Sequence, residues 1–178
     1  DLLFQGEFLA EGEPAKNRSV KNPREFAGYT YGYNYSLLAE RARDVLTMIS
    51  FVKNNDHKPK SVELVALDGT APIAAAALAR CEGAVDRAAL DTRGFRFGKL
   101  TDYLDASFLP GGAKYGDIPG LLSLAAPTKL WLAGETAESA AVVKKAYSAS
   151  GAADAIAFDS SKPDEAKRGA IAWILKSN

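Results

Sequence analysis

Residues 61–80 constrain this chain more than any other stretch. Residues 62–67 form a nearly unbroken apolar run with the β-branched Val62 and Val65. That is the pattern of a parallel strand covered on both faces, and it marks the expected centre of a sheet. Asp68-Gly69-Thr70 then makes a tight polar turn, and Pro72 sits where the first turn of a helix has no use for its N–H. The helix expected over 73–80 is rich in alanine, so its backbone can lie close against the strand it has just left. Strand, sharp turn and close-packed helix is the geometry of a nucleophile elbow or of a phosphate-binding turn.

Around this unit the periodicities alternate. Residues 1–8 read as the end of a strand passing into a glycine-containing turn. Residues 9–35 hold charges, Pro14, Pro23 and several glycines, and end in Tyr29, Tyr31, Tyr33 and Tyr35, whose alternation would line one face of a short extended segment. Such a cluster can be a carbohydrate or base-stacking platform, or a loop anchored by amphipathic rings. Leu38, Ala42, Val45, Ile49 and Val52 recur at helical spacing and predict a helix over 36–54 with Ser36 as its cap. Further strands are expected over 84–91, 129–133 and 153–158. Helices are expected over 121–125, 136–150 and 163–176, the last with Pro163 near its start. This alternation predicts an α/β fold, with a mainly parallel sheet, helices on both faces and right-handed crossovers. One domain is expected over 1–178, with an irregular opening segment 1–35 and a regular core 36–178.

Composition narrows the partners. A formal net charge of +0 without any basic run argues against nucleic acid and anionic membranes, since both need a basic surface to offset phosphate repulsion. No apolar segment approaches the ~20 residues that cross a bilayer. One cysteine, Cys81, excludes an internal disulfide and a multi-cysteine metal site, and suits a small buried group. The chain opens without Met on Asp1-Leu2-Leu3-Phe4, as a piece cut from a longer protein would.

The order of the pieces resembles the second half of an α/β-hydrolase domain, of the esterase, acetyl xylan esterase-like or dienelactone hydrolase-like kind. Asp1-Leu2-Leu3-Phe4-Gln5-Gly6-Glu7 resembles the Asp-x-x-Gly-x-Gly segment after that family's fourth strand, with Phe4 in place of one glycine. Val65-Ala66-Leu67-Asp68-Gly69-Thr70-Ala71 matches the elbow after the fifth, Trp131-Leu132-Ala133-Gly134-Glu135 the strand that ends in the triad acid, and Ala155-Ile156-Ala157-Phe158-Asp159 the last strand. The resemblance implies a three-layer sandwich, three or four strands ahead of Asp1, and a small-molecule ester or carbohydrate-ester ligand. It also puts Asp68 in the nucleophile's place, Glu135 in the acid's place, and a histidine after the last strand.

The residues themselves do not complete that chemistry. The Gly-x-Ser-x-Gly pattern laid on the elbow falls on Ala66, Asp68 and Thr70, so the serine is missing. Asp68 there resembles the nucleophilic aspartate of haloalkane dehalogenases and epoxide hydrolases, whose ester intermediate still needs a histidine to activate water. The one histidine, His57, precedes the strand, about 20 Å from its C-terminal end at ~3.3 Å per residue. Where the family's histidine belongs stands Asp159-Ser160-Ser161. The bland alternatives are that Asp68 accepts backbone N–H groups at the start of the alanine helix, and that Glu135 and Glu138 are solvated acids at a helix N-terminus.

Thr70 would need a base beside it to act as a nucleophile. With Gly69 as the lone glycine before the helix, no nucleotide cofactor is expected. Asp86, Asp91, Asp102 and Asp105 match no cation-binding loop and read as surface acids, so no metal is expected. The expectation is a domain of hydrolase ancestry without an intact triad and without a cofactor. One alternative is a non-catalytic binding module whose contact surface is built from the aromatic loops 26–35 and 93–119, with Tyr31, Tyr33, Phe95 and Thr70 as binding residues. Another is an active hydrolase with Asp68 as nucleophile and a base supplied from elsewhere. Were the chain to start at Asp1, strand 62–67 would lie near a sheet edge, and edge pairing would give a homodimer.

Overall fold

A computed structural model of the chain describes residues 1–9, 11, 16–17 and 27–176. A short helix α1 (Ala27–Tyr31) precedes α2 (Leu37–Lys53), which Ser36 caps by accepting the Ala39 N–H at 3.3 Å. The apolar stripe of α2 buries Leu38, Ala42 and Ile49. Strand β1 (Glu63–Ala66) ends in a turn where Asp68 (φ 54°) and Gly69 (φ 89°) are both left-handed. Helix α3 (Ala71–Leu78) follows with Pro72 in its first turn. Ala71, Ala75 and Ala77 are fully buried, so side chains of one carbon let α3 close onto the sheet. The chain continues through β2 (Arg87–Asp91), α4 (Asp117–Ser123), β3 (Lys129–Ala133), α5 (Ala137–Ala149), β4 (Ile156–Asp159) and α6 (Pro163–Leu175).

The four strands are parallel and lie in chain order, β1-β2-β3-β4, with Glu63 opposite Arg87, Arg87 opposite Lys129 and Leu130 opposite Ile156. Period-two alternation sends the inner strands to two cores. Ala88, Leu90, Leu130 and Leu132 join the larger one with residues of α2, α3, α4 and α5. Ala89, Trp131 and Ala133 meet Ala166 and Ala170 of α6 on the opposite face. Helices therefore cover both faces, and the fold is of the α/β class. Each fully buried leucine of β2 and β3 contributes about 1.5–3 kcal/mol of transfer free energy. Tyr147 of α5 is fully buried and donates its hydroxyl to the Thr128 carbonyl at 2.9 Å, and burial pushes its phenol well above the ordinary value. Among the described residues, no helix is long and apolar enough to cross a membrane.

Four expectations are corrected. Strand 62–67 is not the centre of the sheet: β1 stands at the end of the strand order, and Val65 is 44% exposed. An apolar run specifies burial of a strand's faces, whereas its lateral neighbours are set by the whole topology. Residues 1–8 hold no strand end. They turn at Phe4 (φ 53°) and form a 3₁₀ turn over Gly6–Phe8, because Arg41 and Asp44 of α2 hold the Leu3 and Phe4 backbone. Tyr29 and Tyr31 lie on α1 rather than on an extended segment, so the four tyrosines do not share one face. Residues 84–86 lead irregularly into β2 and 153–155 form a 3₁₀ turn ahead of β4, which shortens both strands.

Candidate functional site

In a parallel sheet, loops at the C-terminal ends of the strands carry whatever chemistry the fold offers. Here those loops are Asp68-Gly69-Thr70 after β1, Thr92-Arg93-Gly94 after β2, Gly134-Glu135 after β3 and Ser160-Ser161 after β4. The strand order runs without a reversal from β1 to β4, so the described strands open no switch-point crevice, and ion pairs join the loops after β1, β2 and β3.

Asp68 is held from two sides. Its Oδ1 accepts from Arg93 Nη2 at 2.5 Å and its Oδ2 from Lys167 Nζ at 2.6 Å, while its side chain stays 55% exposed. The Lys167 hydrogen bond and charge, with a smaller pull from Arg93, hold the carboxyl below its usual range. This corrects the expectation that Asp68 accepts backbone N–H groups of α3: the cations of β2's loop and of α6 engage both oxygens instead. Arg93 is itself positioned by Asp91, whose Oδ1 accepts the Arg93 backbone N–H at 3.0 Å and whose Oδ2 faces Arg93 Nε at 3.6 Å. Asp91 is 3% exposed, a buried strand-end acid and not a surface one. Gly134 (φ 78°) lets the β3 loop close on this unit, since a Cβ there would run into the Arg93 backbone nitrogen.

Glu135 forms the second cluster. Its side chain is 1% exposed, so it is not a solvated acid at the start of α5. Arg96 donates to both carboxylate oxygens, at 3.0 and 2.6 Å, and the Thr92 hydroxyl donates to Oε1 at 2.6 Å. A bidentate guanidinium–carboxylate pair with one further donor fills three of this acid's roughly four acceptor sites and commits it to the arginine and threonine. After β4, Asp159 Oδ1 accepts the Ser161 N–H at 2.6 Å, and the Ser161 hydroxyl is buried without a hydrogen-bond partner.

The other sequence candidates make their contacts elsewhere. The Thr70 hydroxyl donates to the Leu67 carbonyl at 2.7 Å within the turn. Tyr31 donates to the Tyr103 carbonyl at 2.5 Å and stacks on Phe108 with ring centroids 5.2 Å apart. Burial, with the Asp102 charge behind it, pushes its phenol up to about 12. Phe95 is half-buried against the core, edge-on to Phe97 at 5.1 Å. Tyr33 is 96% exposed and shares the rim of a cavity of about 350 Å³ with Tyr35 and Phe4. His57 lies in the exposed turn ahead of β1, its backbone N–H on Asn55 Oδ1 at 2.9 Å, so β1 runs between it and Asp68. Asp86 accepts the Val62 N–H at 2.8 Å, and Asp102 and Asp105 each accept a backbone N–H two residues on. Among the described residues, no three His, Cys, Asp or Glu side chains gather closely enough to hold a metal ion.

Arg93, Arg96, Lys167 and Thr92 were missed by sequence reasoning. For Arg93 and Thr92 a signal existed: Asp91-Thr92-Arg93-Gly94 repeats, after β2, the acid-and-glycine turn chemistry of Asp68-Gly69-Thr70. Lys167 is 99 residues from Asp68 and had no local signal. Comparison with family models, curated proteins and solved structures finds no match to this chain.

Proposed function

We propose that the chain is an α/β-hydrolase-like domain of esterase ancestry in which the turn that would carry a nucleophile serves as an ion-paired brace, and that it turns over no ester. One observation carries this reading: both oxygens of Asp68 are engaged, one by Arg93 and one by Lys167. Each oxygen keeps a lone pair beyond its one hydrogen bond, but two cations that depress its pKa also withdraw the electron density that attack on carbon requires. Glu135, in the place of the triad acid, is closed off in the same way by Arg96 and Thr92. His57 lies at the far end of β1 and supplies no base to this edge.

A second reading, an active hydrolase with Asp68 as nucleophile and a base from another segment, is favoured by the left-handed backbone of Asp68 and the exposure of its side chain. Acyl-ester and haloalkane turnover by the purified chain separates the two. The brace reading expects no rate above that of the heat-denatured chain. Turnover that disappears in Asp68→Asn, with an unchanged far-UV circular dichroism spectrum, would establish the second reading and remove the first.

A further inference from the structure

We propose that the open edge of β1 and the adjoining flank of α2 receive an extended segment of a partner polypeptide as an additional parallel strand, apolar in its middle and acidic at its start. This surface is independent of the chemistry at Asp68.

The first observation is an edge strand with interior composition. Natural edges are blunted by charges, proline or bulges. Residues 62–67 carry only Glu63 as a charge, and four consecutive residues of β1 pair with β2 without a bulge. Among the described residues β2 is the only strand paired with β1. In a parallel ladder alternate N–H and C=O groups point away from the neighbour, so β1 presents a row of backbone groups to its open side.

The second observation is the position of α2. Helix α3 packs on β1 and β2, while the main partner of α2 is α3. Helix α2 is thus the outermost helix on the β1 side of its layer and stands outboard of the open edge. Leu37, Arg41, Asp44, Met48 and Phe51 follow one another at three- and four-residue spacing along one flank of it. The first half of that flank is covered: Arg41 donates to the Leu3 and Phe4 carbonyls at 2.9 and 2.7 Å, and Asp44 accepts the Leu3 N–H at 2.9 Å. Its second half presents Met48 at 57% and Phe51 at 61% exposure. A helix outboard of a sheet with an apolar flank has the arrangement of a layer that lacks the strand beneath it.

Charge decides the chemistry of the occupant. Lys58 and Lys60 are exposed at the start of β1, and neither enters an ion pair among the described residues. Of the nearby acids, Glu63 is engaged by Arg87 and Asp86 by Lys53 and the Val62 N–H, while Asp56, exposed in the turn just before, offsets one of the two lysines and leaves the strand's start with a net positive charge. A strand added parallel to β1 begins beside these two lysines, so acidic residues at its start complement them. A second copy of the chain fits less well. Two-fold pairing of β1 with itself would put both helix layers on one face of a continuous sheet, and two outboard α2 helices would compete for the same space.

The test uses the full chain and a fluorescein-labelled peptide of two aspartates followed by alternating valine and threonine, with a two-lysine version as control. Fluorescence anisotropy should show saturable binding, with the lysine-led peptide about tenfold weaker. Lys58→Glu with Lys60→Glu should reverse that preference. Phe51→Asp, an exposed position that leaves the fold intact by circular dichroism, should weaken binding about tenfold, and backbone amides of residues 63–66 should exchange more slowly in the complex. Absence of saturable binding up to about 1 mM peptide, or indifference to the charge of the leading residues, would overturn the proposal. A dimer in sedimentation equilibrium that Val65→Lys dissociates would assign the edge to a second copy and overturn it as well.

Discussion

Removing the Glu135 carboxylate tests whether this residue is a structural brace. Its side chain is 1% exposed, and it accepts from Arg96 twice and from Thr92 once. Glu135→Ala leaves a guanidinium and a hydroxyl without their acceptor. Loss of one partner of a buried pair costs about 3–5 kcal/mol, and the lower end applies because Arg96 is 20% exposed and can turn toward water. A loss of about 3 kcal/mol at 2–4 °C per kcal/mol gives a melting temperature lower by about 6–12 °C for a chain of this size. Glu135→Gln keeps a neutral acceptor in place and should lose about half as much. Urea unfolding at constant m-value reads both, and a double-mutant cycle with Arg96→Met should return a coupling of about 2 kcal/mol. A Glu135→Ala variant within about 0.5 kcal/mol of the parent would refute the brace and return Glu135 to candidacy as a catalytic acid.

At the N-terminal ends of the strands, Arg87 of β2 donates to the carbonyls of Trp173, Ile174 and Lys176 at the C-terminus of α6, with its guanidinium 4.4 Å from the Trp173 ring centroid. Arg87→Met should cost about 3 kcal/mol and speed amide exchange in the last turn of α6; unchanged exchange there would discount the clasp. The depressed carboxyl of Asp68 predicts a pH dependence of definite sign. Its contribution is complete above the unfolded value near pH 3.9 and is lost as pH falls through the lower folded value. The urea-midpoint difference between the parent and Asp68→Asn should therefore be flat from neutral pH down to about pH 5 and shrink below about pH 4; a difference that grows on acidification would contradict the ion pairs.

The sequence alone determined what is local. The apolar run 62–67, the alanine helix, the capping residue Ser36 and the helix over 136–150 are short-range patterns, and each forms its element to within a few residues. Alternation of helix and strand likewise implied a parallel sheet, because a parallel connection needs a crossover. Only the tertiary structure decided what depends on residues distant in the chain: that β1 is an edge, that Lys167 reaches Asp68 from α6, and that Arg96 buries Glu135. An acid at a turn reads the same in sequence whether water, a backbone N–H or a remote cation meets it. Its chemistry is set by that partner, which three-dimensional packing brings to it.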